Sequence, residues 1–188
     1  MGLPTKEERV LELFLNEPTK HWHFSDITTT AHISEPSANK WLKKLLAETI
    51  IRRVKPRGKM PYFISNHETD AYRTRKKLYA LHKLYDSGLL TKLQALAEAK
   101  AVIIFGSFAR SDWHANSDVD IFILGNPEAF RHGMLWKGIG FQGAARTLEV
   151  YAYPALKHAK QVPSGLLKNV AKGYFVKGNI HDIAQVNA

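Results

Sequence analysis

The stretch GSFARSDWHANSDVDIFIL, residues 106–124, sets two aspartates at the mouth of an apolar run. AVIIFG, residues 101–106, leads into it and ends in Gly106-Ser107, as a buried strand meeting a tight turn does. Glycine lets the backbone approach a ligand closely, and exposed N–H groups at such a turn can hold phosphate. In DVDIFIL the side chains of a strand alternate, so Asp118 and Asp120 share one side while Val119 and Ile121 enter the core. By strand rise the two carboxylates stand about 7 Å apart. They repel each other, and desolvation at a core strand adds to the cost. A bound divalent cation removes that conflict, and hard oxygen ligands suit Mg²⁺ or Mn²⁺ together with substrate phosphates.

Gly106-Ser107, ten residues, then Asp118-x-Asp120 resembles the GS-x10-DxD signature of the nucleotidyltransferases related to DNA polymerase beta, most closely the small, minimal members. The motif covers residues 106–120, and the order of elements fits over about 89–188. The resemblance implies a small mixed β-sheet flanked by helices. It also implies Mg²⁺-dependent transfer of a nucleoside monophosphate from a nucleoside triphosphate to a hydroxyl. Gly106, Ser107 and Arg110 are then expected at the triphosphate, and Asp118 and Asp120 as metal ligands and catalytic groups. The family takes a third carboxylate from a later strand. RTLEVYAYP supplies Glu149, which is preferred over Asp112 in the loop and over Glu128, whose place after Asn126-Pro127 suits a helix start. Three features depart from the family pattern. Ser111 stands where glycine often follows the arginine, Glu149 replaces an aspartate, and Trp113 and His114 are bulky for a nucleotide-facing loop.

Upstream, KEERVLELFLNEP has Val10, Leu13 and Phe14 on one helical face and stops before Pro18. Ser25 is expected to cap a short helix over DITTTAHI. Ser34 is expected to cap a third helix with Pro36 in its first turn. In that helix Ala38, Trp41/Leu42 and Leu45 share a face, and Ser37, Asn39, Lys40, Lys43 and Lys44 lie on polar faces. Two β-rich runs, 49–54 and 61–65, flank the basic turn KPRGKM. Helix, short strand, helix, helix and basic hairpin resemble the winged helix-turn-helix family over about residues 5–65. That likeness implies DNA binding, with Ser37, Asn39, Lys40, Lys43 and Lys44 toward the major groove and Arg57 and Lys59 on the wing.

The expected class is therefore α+β, with a winged helix domain over 1–66, a helical linker over 67–88 and a nucleotidyltransferase domain over 89–188. In the linker, DAYRTRKKLYALHKLYDSG reads as a helix closed by Gly88. Its Ala71, Leu78, Leu81 and Tyr85 suit packing on a second copy of the chain, as a homodimer, or on the following domain. A second helix is expected over LLTKLQALAEA. A closing helix after Pro163 and a strand YFVKG are expected near the end.

Composition bounds the rest. The 188 residues are 45% apolar, enough for a packed core. The net charge is +10 and is distributed along the chain, with basic excesses of four, three and three over 1–66, 67–100 and 101–188. Such a chain suits polyanions such as DNA, RNA or nucleotides. The absence of cysteine removes disulfides, zinc-thiolate sites and cysteine nucleophiles. No apolar run is long enough to span a membrane and the first residues carry no secretory pattern, so a cytoplasmic location is expected. His21, His23 and His32 read as surface or partly packed side chains rather than a metal group, and His158 and His181 have no partner that the sequence identifies.

Three functions are consistent with these residues. The first is an enzyme that nucleotidylates a small molecule, a nucleic acid or a protein such as a HEPN-type toxin. The second is a DNA-binding regulator whose nucleotidyltransferase-like domain senses a nucleotide. The third is an adaptor with neither activity.

Overall fold

The computed structural model describes residues 4–154 and 163–184, so His158 lies outside the described residues. The chain divides into two compact units after Tyr79.

The first unit holds α1 (Lys6–Asn16), α2 (Phe24–Thr30), α3 (Glu35–Ala47), β1 (Ile51–Val54), β2 (Tyr62–Ser65) and the first part of α4 (Asp70–Asp86). A capping box starts α1: the Glu8 N–H donates to Thr5 Oγ1, and the Thr5 N–H donates to the Glu8 carboxylate. Helix α2 begins earlier than Ser25 capping predicts. His23 is its N-cap, and Asp26 reaches back to accept the His23 N–H at 3.3 Å. Ser34 precedes α3, Pro36 falls in its first turn, and Ala38, Leu42 and Leu45 are buried. Strands β1 and β2 pair antiparallel, and Trp22 adds an isolated bridge to Phe63.

The end of α1 is closed by side chains from distant segments. Ser65 Oγ and Tyr72 Oη both donate to the Phe14 carbonyl, at 2.7 and 3.1 Å. That carbonyl belongs to the last turn, where no intrahelical partner remains. Burial pushes the Tyr72 phenol up to about 12. Glu7 accepts from Lys44 Nζ at 2.8 Å and from Arg75 Nη2 at 2.7 Å, which links α1, α3 and α4.

The second unit contains the rest of α4, then α5 (Leu89–Gln94), β3 (Ala99–Phe105), α6 (Gly106–Arg110), β4 (Val119–Gly125), β5 (Met134–Trp136), β6 (Arg146–Tyr153), α7 (Ser164–Val170), β7 (Tyr174–Lys177) and α8 (Ile180–Ala184). Gly88 is left-handed, φ 76°, and follows the end of α4 as expected. Helix α5 is shorter than predicted, because the chain must be extended again by Ala99 to enter β3.

The five strands form one mixed sheet in the order β5-β6-β4-β3-β7. β4 and β6 run parallel, and the other neighbours are antiparallel. Strand alternation sends Ala101, Ile103, Phe105, Phe122 and Leu124 to one face, where they pack with Leu167 and Val170 of α7 and Ile183 of α8. The intervening Val102, Ile104, Val119, Ile121, Ile123 and Leu148 are fully buried on the other face. Both faces of the sheet are therefore covered, and the ends of its strands are left to carry polar groups. No described helix is long and apolar enough to cross a membrane.

Candidate functional site

Asp118 lies just before β4 and is exposed; Asp120 lies in β4 and is half-buried. The parallel register pairs Asp120 with Glu149 of β6 and, on its other side, with Phe105 of β3. Because neighbours in register share a face, Asp120 and Glu149 project on the same side of the sheet. Burial, then the charges of Glu149 and Asp118, raise the Asp120 carboxyl above the usual aspartate value, and the nearby Arg110 charge partly opposes this. The three predicted carboxylates thus interact electrostatically. The same charges raise the Tyr151 phenol, after desolvation. Tyr151 sits two residues beyond Glu149, on the same face of β6.

Gly106 abuts Asp120. It has φ +67°, and a Cβ added there would lie 2.0 Å from Asp120 Oδ2. Glycine is therefore required twice at this position, for conformation and for room. Ser107 lies in the first turn of α6, next to that contact. Arg110 Nε donates to Asp112 Oδ2 at 2.8 Å, and both side chains are more than half exposed. Ser111, where the related family often has glycine, is itself left-handed with φ 64° and caps the C-terminal end of α6. Glycine would adopt this backbone conformation without strain.

Two expectations need correction. Trp113 does not project where a nucleotide would enter. It is buried and stacks on Phe108, with centroids 5.4 Å apart and planes at 15°. Glu128 does not start a helix. It sits in a turn at φ 53°, and its carboxylate accepts the Ala97 N–H at 3.0 Å, tying the turn to the segment before β3. His114 is exposed, and its Nδ1 accepts the Asn116 N–H.

Two residues went unpredicted. His132, in the loop before β5, places Nε2 2.8 Å from Glu149 Oε2 and meets the Tyr151 ring edge-on at 5.9 Å. A lone histidine in a loop gives no sequence signal for such a contact. Arg146 opens β6 and is buried. Its signal was present: period two sets Arg146 in line with Leu148 and Val150, the inward side of the strand. Among the described residues, no three His, Asp or Glu side chains are gathered as a ready metal-ligand set.

The residues expected to meet nucleic acid lie in the first unit. Asn39, Lys40, Lys43 and Lys44 are exposed on α3, and Ser37 is half-buried, its Oγ hydrogen-bonded to that of Ser34. The Lys44 ammonium is engaged by Glu7, and the Lys40 ammonium stands 4.6 Å from the Trp41 ring centroid. Arg57 and Lys59 are exposed in the turn between β1 and β2, as are Arg52, Arg53 and Lys55 beside them. His21 stacks on Tyr62 at 3.9 Å, and His23 Nδ1 is 3.0 Å from the Pro61 carbonyl oxygen, so both serve local packing.

Residues 87–178 match the family model described as the nucleotidyltransferase domain. This agrees with the mixed five-stranded sheet, and supports transferase activity on a nucleoside triphosphate in general. Comparison with curated proteins and with solved structures finds no match.

The left-handed Ser111 carries a steric cost of about 1–2 kcal/mol, offset in part by the entropy that glycine loses on folding. Ser111→Gly is expected to stabilise the protein by up to about 1 kcal/mol, read by urea denaturation.

The Asp120 carboxyl is raised in the folded protein, first by burial and then by the charges of Glu149 and Asp118. The native state holds this proton more tightly than the unfolded chain, whose aspartates titrate at about 3.9. The resulting stability is present below that pH and is lost as pH rises through the folded value. Asp120→Asn is therefore expected to raise the melting temperature at pH 7, modestly because solvent screens the half-exposed site. The gain should shrink toward zero as melts are repeated down to about pH 3.

Proposed function

We propose that the second unit is a metal-dependent nucleotidyltransferase, and that the first is a winged helix that brings it to DNA or to a protein partner. The observation that supports the enzyme most is the parallel pairing of Asp120 with Glu149, beside a Gly-Ser turn and within the field of Asp118.

The donor set fits a magnesium or manganese ion. It offers hard carboxylate oxygens, and burial followed by the charges of Glu149 and Asp118 raises Asp120, a cost that a cation relieves. Magnesium commonly takes one or two carboxylates and completes its shell with water and substrate phosphates, so Asp118 and Asp120 suffice as a pair. When bound, the ion neutralises charge on the triphosphate and on the attacking oxygen. Asp118 and Asp120 would hold it. The Gly106-Ser107 turn receives the β and γ phosphates through its backbone N–H groups and the Ser107 hydroxyl. Arg110 exchanges Asp112 for a phosphate oxygen. Glu149 would accept the proton of the acceptor hydroxyl as that oxygen attacks the α-phosphorus and pyrophosphate leaves. The acceptor is a hydroxyl of a protein, a nucleic acid or a small molecule.

The test is incubation with each labelled nucleoside triphosphate, Mg²⁺ and cell lysate. Label transfer is expected, abolished by EDTA and reduced at least about a hundredfold in Asp118→Ala/Asp120→Ala, since a metal-held charge is worth several kcal/mol. Triphosphate binding without transfer in any combination would defeat the enzyme and leave a nucleotide-sensing regulator.

The DNA half is tested separately. Exposed Arg57 and Lys59 in the β1–β2 turn are suited to phosphate. Arg57→Ala and Lys59→Ala should each weaken duplex DNA binding across sequences and lower the slope of log affinity on log salt by about 1, measured by fluorescence anisotropy.

A further inference from the structure

We infer that Arg146 is a positioning residue for the phosphate turn and the metal-binding carboxylates, an inference that rests on the reading of this site as a nucleotidyltransferase centre. Arg146 is 3% exposed at the start of β6, three residues before Glu149. Its Nη1 donates to the carbonyls of His114 at 2.8 Å, Ala115 at 3.0 Å and Ser117 at 2.6 Å. Its Nε donates to the Ile139 carbonyl at 3.4 Å. The guanidinium carbon lies 5.3 Å from the Phe108 ring centroid and 5.4 Å from that of Trp113.

These contacts reach both ends of the segment that joins the turn to the aspartates. Phe108 follows Ser107 directly, and Ser117 precedes Asp118 directly. The Asp112 N–H also donates back to the Ser107 carbonyl, so the segment closes on its own start. Arg146 thus acts behind the loop, on the face of β6 opposite Glu149, and gives one common support to Gly106-Ser107, Asp118 and its own strand. A burial-filling apolar residue would not do this, because loop carbonyls turned inward need donors. A lysine would keep the charge but not the flat fork that meets several carbonyls while lying beside two rings.

The experiment compares wild type, Arg146→Lys and Arg146→Ala in the full chain by amide hydrogen exchange and by transfer kinetics. In Arg146→Lys, exchange at residues 112–118 should rise about tenfold or more while β3 and β4 stay protected, the mark of a local opening. The kcat should fall about 10–100-fold with the KM for nucleoside triphosphate within about threefold, as expected when reacting groups are displaced by an ångström. Added guanidinium ion should restore part of the rate to Arg146→Ala. Phe108→Leu keeps the arginine but removes one ring beside it, and should speed exchange in 112–118 even if the Arg146 variants do not fold. Unchanged exchange in 112–118, or an equal rise throughout β3 and β4, overturns the inference. If the wild type transfers no nucleotide, exchange alone decides the role of Arg146, and the loss falls on the enzyme reading.

Discussion

Asp120 and Glu149 face each other across adjacent parallel strands, and the repulsion between them is the constraint to which the surrounding residues answer. In a sheet this register is normally filled by apolar or oppositely charged pairs. Here the neighbours are adapted to two anions instead. Gly106 gives up a side chain so that the turn can approach Asp120. Arg110 lends a positive field, and His132 takes one oxygen of Glu149. A packed sheet, whose other face buries Val119, Ile121, Ile123 and Leu148, holds the pair in place. Such a centre is less stable than the same fold with neutral groups, which is the usual relation between a site and the scaffold that bears it.

Features that depend on neighbouring residues are legible in the sequence itself. The turn, the ten-residue spacing and the alternation of DVDIFIL are set by neighbours along the chain. So are the Ser34 start of α3, Pro36 in its first turn, and the left-handed Gly88 after α4. What escapes such a reading is decided by residues far apart in sequence. β5 is only three residues long and is held by β6, so it has too little periodicity to stand out. His132 meets Glu149 through a loop whose course no local rule dictates. Trp113 reads as an obstacle because a polar loop surrounds it, whereas Phe108 and Arg146 draw it inward. Glu128 follows a dipeptide that suits a helix start, but the next element along the chain is the short β5.

In the first unit the same distinction separates charge that is free to act at a distance from charge that is already used. Lys44 belongs to the polar side of α3, yet Glu7 holds it together with Arg75, so part of its value is structural. The arginines and lysines around the β1–β2 turn are exposed instead. Among the described residues, none forms with them an ion pair like that of Glu7 with Lys44. The electrostatic weight of this unit therefore shifts from the helix toward the ribbon.

The pairing of β3 with both β4 and β7 has a further consequence for how the chain reaches its native state. β4 follows β3 closely, but β7 comes only after β6 and α7 have been made. During synthesis one hydrogen-bonding edge of the apolar strand β3 must wait for a distant segment. Contacts of such long sequence separation slow folding, and an unpaired apolar edge invites association with other chains. The interval between the emergence of β3 and of β7 is thus one in which a nascent chain carries an open apolar edge.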